Sequence, residues 1–161
     1  MIILIMGPTG AGKTTVGSLL AAQIGWEFVD GDSFHPPANL EKMKRGIPLG
    51  DADRLPWLKE IHCAMAQWLA ANRNVVLTCS ALKRAYRELL GVGPRVHLVY
   101  LKGNFDLILQ RLQERKGHFA TEEILAGQFA DLEAPADAVI ADIRSSPEEI
   151  VTSIRSQLHL T

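Results

Sequence analysis

The sequence predicts a single-domain α/β protein, a three-layer α/β/α sandwich on a mainly parallel five-stranded sheet. Five short strand-like runs, at residues 2–6, 26–29, 74–79, 95–101 and 138–141, alternate with stretches whose apolar residues recur at helical spacing. Strands that alternate with amphipathic helices need crossover connections, so neighbouring strands lie parallel and helices cover the sheet. The length, 161 residues with 47% hydrophobic, suits one domain over 1–161 with a substantial core. No internal repeat, low-complexity segment or linker interrupts it.

The first run, Ile2-Ile3-Leu4-Ile5-Met6, is unbroken apolar and reads as a buried strand. Gly7-Pro8-Thr9-Gly10-Ala11-Gly12-Lys13-Thr14 follows, the full G-x-x-x-x-G-K-[ST] pattern between a strand and a helix. Glycines at Gly7, Gly10 and Gly12 let the backbone turn tightly, so that consecutive N–H groups point at one anion where the helix begins. Lys13 supplies a point charge for the outer phosphates of a nucleotide. The hydroxyl of Thr14 is placed to ligate the magnesium that accompanies them.

The helix after this cradle carries Val16, Leu19, Leu20 and Ile24 on one stripe and stops at Gly25. The second strand ends in Asp30-Gly31-Asp32, at the end of the sheet where open α/β folds bind ligands. Two carboxylates around a glycine suit an ordinary turn. Beside a phosphate cradle they can also divide the labour of phosphoryl transfer, one orienting magnesium through water and the other taking a proton from the attacking hydroxyl. Residues 33–55 are too long and too charged for a connector, and are expected to form the wall that binds a second substrate. Pro56 is expected to open the next helix, whose buried stripe is Trp57, Leu58, Ile61, Met65, Trp68 and Leu69, while His62 fits either solvent or core.

Beyond the third strand, Lys83, Arg84 and Arg87 fall at the mouth of the same sheet, as plain surface charge or as cations for a ligand. Asn104 caps a helix that passes through Leu107, Ile108 and Leu112 and ends in Arg111 and Arg115. Residues 115–130 combine a basic helix end, a glycine and a second short helix from near Thr121. They read as a lid that excludes water and brings positive charge onto a transferring phosphate. Ser146, Pro147 and Glu149 mark the last helix with a capping box.

Composition narrows the partners. With 17 basic and 18 acidic residues the formal charge is −1, which argues against nucleic acid or an acidic membrane as the main partner. An apolar N-terminal run of five residues without a basic leader is too short for a signal peptide or a membrane span, so a cytoplasmic location is expected. Cys63 and Cys79 lack metal-ligand spacing and are expected to be small buried apolar residues.

Taken together, Asp30-Gly31-Asp32, His35-Pro36, Asn39, Lys42-Met43, Gly46, Pro48-Leu49, Asp51, Asp53-Arg54 and Pro56-Trp57-Leu58 resemble the thermoresistant-type gluconokinases, within the small P-loop kinases that include shikimate kinase. Cys79-Ser80-Ala81-Leu82-Lys83, Tyr86-Arg87, Tyr100-Leu101-Lys102-Gly103, Arg111-Leu112 and Arg115-Lys116-Gly117-His118-Phe119 extend the resemblance over nearly the whole chain. Gly127 before Gln128-Phe129, Gly50 and Pro8 depart from the pattern without removing a charged group.

The resemblance implies a P-loop kinase fold with a helical lid that moves the γ-phosphoryl of ATP to the 6-hydroxyl of D-gluconate. It implies ATP and Mg2+ as cofactors, held by Gly7, Pro8, Thr9, Gly10, Ala11, Gly12, Lys13, Thr14 and Thr15, with Asp30 orienting the metal through water. Asp32 would be the base, with Lys13 and Arg111 or Arg115 stabilising the transferred group. Gluconate is an open-chain polyol with one carboxylate, so it needs cations at one end and hydroxyl partners along its length. Arg54, Lys83 and Arg87 are the candidate cations, and Asp32, His35, His118 and Gln128 the candidate hydroxyl partners. Adenine would lie between an arginine, with Arg111 as candidate, and the loop carrying Pro135. The resemblance also implies a homodimer. Another small acceptor such as shikimate or a nucleoside monophosphate is the competing kinase reading, although no base pocket for a nucleotide acceptor is evident. A nucleotide-gated switch is the reading from another class, and the chain lacks the Asn-Lys-x-Asp guanine motif such a switch would show.

Overall fold

A computed structural model of the chain describes residues 1–115 and 121–161. Its five strands are β1 (Ile2–Met6), β2 (Glu27–Asp30), β3 (Val75–Thr78), β4 (Val96–Lys102) and β5 (Val139–Asp142), all parallel in the order β2-β3-β1-β4-β5. The helices are α1 (Lys13–Ile24), α2 (Pro37–Lys44), α3 (Asp51–Ala70), α4 (Arg84–Leu90), α5 (Phe105–Glu114), α6 (Glu122–Asp131) and α7 (Pro147–Gln157), with a 3₁₀ turn at Gly31–Phe34. None of them is long and apolar enough to cross a membrane.

β1 is the centre of the sheet, and all five of its side chains are fully buried. Ile2, Leu4 and Met6 point into a cluster with Trp57, Ile61 and Tyr86 from α3 and α4, whereas Ile3 and Ile5 point into one with Leu20, Ile108 and Ile154 from α1, α5 and α7. A strand covered on both faces must be apolar at every position, which is why the run shows no alternation. The chain leaves β1 at the carboxyl end of the sheet, and the loops after β1, β2 and β3 all open there.

Strands end where the sheet meets the site, on residues that hydropathy does not mark. β2, β4 and β5 close on Asp30, Lys102 and Asp142, one residue past the expected runs. A larger difference concerns α3, which begins at Asp51 rather than at Pro56. Asp51 and Asp53 occupy its first turn, and Asp53 Oδ2 accepts the N–H of Gly50 at 2.9 Å, a cap strong enough to start the helix early. Pro56 then lies inside the helix, where it gives up one bond to the carbonyl of Ala52 and keeps its place because Trp57 and Leu58 beside it are buried. The early start brings Arg54 onto the buried face of α3.

Cys63 also differs from expectation. It is exposed, because the buried face of α3 runs through Arg54, Trp57, Leu58, Ile61, Met65 and Trp68 and residue 63 falls off that stripe. His62 is exposed too, with Nδ1 3.2 Å from the Leu90 carbonyl. Asn104 caps α5 and Ser146 with Glu149 forms the capping box of α7, both as expected, and Thr121, near which the sequence predicts a helix start, caps α6.

Gly31 is fixed by space. A Cβ there would stand 2.1 Å from the carbonyl oxygen of Thr78 at the end of β3. Gly31→Ala is expected to lower unfolding free energy by about 1–3 kcal/mol, as overpacking of a tight site does. Urea denaturation measures this, and a loss below about 0.3 kcal/mol would show that the turn yields freely.

Candidate active site

The loop between β1 and α1 is built for an anion. Gly7, Gly10 and Gly12 have φ of 151°, 81° and 96°, and at Gly10 a Cβ would also meet Leu112 of α5 at 2.7 Å. No side chain caps α1 and no acid stands in its first turn, so its N–H groups and positive end face the loop. Lys13 curls over this loop and donates from Nζ to the carbonyls of Gly7 at 2.9 Å and Pro8 at 3.0 Å. Burial pushes its ammonium below the ordinary lysine range, Asp32 and Asp30 pull the other way, and Arg115 adds to the lowering. Arg115 thus brings positive charge toward Lys13 although its own side chain is exposed.

The two carboxylates after β2 have different surroundings. Asp30 is held: Oδ1 accepts from the Asp32 N–H at 2.9 Å and from Thr78 Oγ1 at 3.2 Å, and Oδ2 accepts from Thr14 Oγ1 at 3.3 Å. Asp32 is open, with 63% of its side chain exposed and His35 Nε2 3.8 Å away. Asp30 with Thr14 therefore offers fixed oxygens to a hydrated cation, and Asp32 offers a carboxylate to whatever enters beside Lys13. Among the described residues no three His, Cys, Asp or Glu side chains group to hold a metal. Oxygen donors of this kind suit magnesium that keeps its waters and takes phosphate oxygens as its remaining ligands.

A cavity of about 280 Å³ lies between the loop, the 3₁₀ turn, α3 and α6. Its polar groups are Thr9, Lys13, Asp32, His35, Ser80, Arg54, Gln128 and Asp131. Met43, Ile47, Pro48 and Leu49 from the 33–55 segment form much of its apolar wall, with Trp57 and Ile124. Arg54, 5% exposed, donates from Nη1 to Asp131 Oδ2 at 2.7 Å and to the Tyr86 hydroxyl at 2.9 Å. Burial opposes its charge, but Asp131 and Tyr86 more than compensate and raise its pKa further. Gln128 reaches the loop, its Oε1 accepting the Thr9 N–H at 2.7 Å. α6 is thus tied to the cavity at both Gln128 and Asp131.

Not every expected residue converges there. Lys83 lies behind the wall, its Nζ 2.9 Å from Asp51 Oδ1 and 3.8 Å from Asp131 Oδ1. Arg87 does not line the cavity: its buried guanidinium donates to the carbonyls of Ala81, Leu82 and Glu133 and ties the loop after β3 to the segment after α6. Arg111 and Pro135 have different neighbours. Arg111 Nη2 donates to the Ile143 carbonyl at 2.6 Å, in the loop after β5, whereas Pro135 lies between Glu133, bonded to Leu82, and Ala138, packed against the α3–α4 core. His118 lies outside the described residues. Sequence reasoning did not find Asp131, although it stands one helical turn after Gln128 and shares its face. Trp57, expected in the buried stripe of its helix, also lines the cavity, and its indole N–H donates to the Gly31 carbonyl at 2.8 Å.

A phosphate-binding loop on the central strand, a paired set of carboxylates after β2 and a helix closing over a small polar cavity define a P-loop kinase for a small molecule. The shikimate kinase family pattern matches residues 9–159. The chain is 47% identical over 136 residues to the gluconokinase of Gluconobacter oxydans, covering 84% of this chain and 76% of that one. It is 43% identical to the thermoresistant gluconokinase of Escherichia coli over 94% of its own length and 90% of the relative's. The solved structure of a gluconokinase from Sinorhizobium meliloti superposes with a TM-score of 0.84 at 39% identity, covering 98% of this chain and 90% of that one. The chain belongs to the gluconokinase family of P-loop kinases.

Cys79 ends beside this site, and burial pushes its thiol up to about 12. At neutral pH it is therefore an unreactive thiol, unlike exposed Cys63. Maleimide treatment of the native protein is expected to add one label, at Cys63, and a second only after denaturation. Two labels on the native protein would show that the surroundings of Cys79 open to solvent.

Proposed function

We propose that the protein transfers the γ-phosphoryl group of ATP to the 6-hydroxyl of D-gluconate, giving 6-phospho-D-gluconate and ADP. The observation that carries this reading is a single cavity lined both by an open carboxylate, Asp32, with Lys13, and by a buried arginine, Arg54. A polyol carboxylate fits that polarity, with its carboxylate toward Arg54 and its terminal hydroxyl toward Asp32. Arg54 uses Nη1 for its protein partners, which leaves the rest of its fork for an acceptor carboxylate. Residues 33–55 act as the acceptor-binding segment and 115–130 as the lid.

In this reading Asp32 accepts the proton of the attacking hydroxyl, and Lys13 with Arg115 stabilises charge on the transferred group. Arg111, anchored to the loop after β5, offers its planar guanidinium to adenine, and the partner of that arginine is this loop rather than Pro135. Thr14 and Asp30 would hold magnesium with the nucleotide, and the ion would neutralise phosphate charge. Lys83 backs the Arg54–Asp131 pair from Asp51. We propose further that the enzyme is a cytoplasmic homodimer, which size-exclusion chromatography with light scattering tests.

ADP release with Mg-ATP is expected with gluconate and not with shikimate, a nucleoside monophosphate or buffer alone. Turnover on shikimate and not gluconate would overturn the substrate. Asp32→Asn is expected to lower kcat by about a hundredfold or more, and a normal kcat with only a raised KM would reassign Asp32 to binding. Arg54→Ala is expected to raise the KM for gluconate at least about tenfold, as loss of a charged hydrogen bond does, with the KM for ATP changed less than about twofold. An equal rise in both would place Arg54 in general support of the fold.

A further inference from the structure

His35 lines the cavity between Asp32 and Arg54, and its imidazole is fixed by two neighbours. It stacks on Trp57 with ring centroids 4.1 Å apart and planes 15° apart. Asn39, 2% exposed, places Nδ2 2.9 Å from the Asp53 carbonyl and 3.1 Å from His35 Nδ1. A carbonyl oxygen only accepts, so the amide group that faces Asp53 is the NH2 and the orientation of Asn39 follows. The same NH2 faces His35 Nδ1, which must accept in turn. The ring proton therefore resides on Nε2, and Nε2 faces Asp32 Oδ1 across 3.8 Å.

We propose that Asn39 is a positioning residue for phosphoryl transfer: it holds His35 as the neutral Nε2–H tautomer and so presents a donor to Asp32 and to the acceptor hydroxyl beside it. The opposite tautomer would set an Nδ1–H against the Asn39 NH2 and a lone pair against the Asp32 carboxylate, two repulsions in place of two attractions. An imidazolium meets the first of these as well. The charged groups that act on the ring are Asp32 in the 3₁₀ turn, Asp30 at the end of β2 and Arg54 on α3. Burial, the largest influence, disfavours the imidazolium, Asp32 and Asp30 favour it and Arg54 opposes it, which leaves His35 below the ordinary histidine range. Its folded pKa being depressed, this group's contribution to stability is complete above the unfolded histidine value and is lost as pH falls from there toward the folded one.

The proposal rests on the gluconate reading only for its effect on turnover, since the tautomer belongs to the protein without ligands. Long-range 1H–15N NMR of the full chain near neutral pH, with His35 assigned through His35→Gln, is expected to show a protonated Nε2 and a bare Nδ1. A protonated Nδ1 or an imidazolium overturns the proposal. Asn39→Ala removes the donor and is expected to mix the two tautomers and lower kcat about fivefold or more, with the KM for ATP within about twofold. A folded Asn39→Ala protein that keeps the native tautomer and kcat, and loses only thermal stability, reduces Asn39 to packing and overturns the proposal. Should that variant not fold, the wild-type spectrum still decides. Should gluconate fail as acceptor while another substrate turns over, kcat is read with that substrate and the spectrum is unaffected, so the two failures are distinct.

Discussion

The contact between Gly31 and the end of β3 organises the site. Gly31 lies so close to the Thr78 carbonyl that no side chain fits between them, and its own carbonyl accepts the Trp57 indole N–H at 2.8 Å. These contacts fix the 3₁₀ turn against both the sheet and α3. The residues on either side then have no choice of direction. Asp30 is carried onto Thr78 and Thr14, while Asp32 is left facing the cavity. One glycine thereby separates two chemically identical side chains into a held oxygen donor and an open carboxylate.

The balance of charge in the cavity follows a related logic. A net charge of −1 leaves no general attraction for an anionic acceptor, so recognition falls to a few cations whose number is limited by pairing. Arg87 is committed to three carbonyls and Lys83 to Asp51, which removes both from direct contact with the cavity. Arg54 and Lys13 remain at the wall, each held by defined partners. A buried arginine with a carboxylate partner is kept charged and is aimed, and both properties serve recognition of a carboxylate better than a free surface lysine would.

How much of this was legible in the sequence depended on whether a residue's signal is local. β1, the glycine loop, the caps at Asn104 and Ser146, the helix start near Thr121, and the alternation of strand and helix all declare themselves within a few residues, and each stands as expected. The start of α3 did not, because Pro56 is a stronger local cue than the acidic turn at Asp51 that overrides it. Arg87 differs for another reason: its donors go to the carbonyls of Ala81 and Leu82 in the loop just before it and to that of Glu133, 46 residues on, a set of partners that side-chain type and spacing do not record. Asp131 and Asn39 act through partners 77 and 14 residues away, so only the folded chain brings out their roles. Gly31 reads from the sequence as a turn glycine, whereas its requirement comes from the neighbouring strand.

The central claim is the identity and position of the bond formed. Purified product from Mg-ATP and 13C-labelled gluconate, examined by 31P and 13C NMR, tests it most directly. A single phosphate ester whose phosphorus couples to C6 is expected. A phosphate on another carbon, or release of inorganic phosphate with gluconate unchanged, would contradict it.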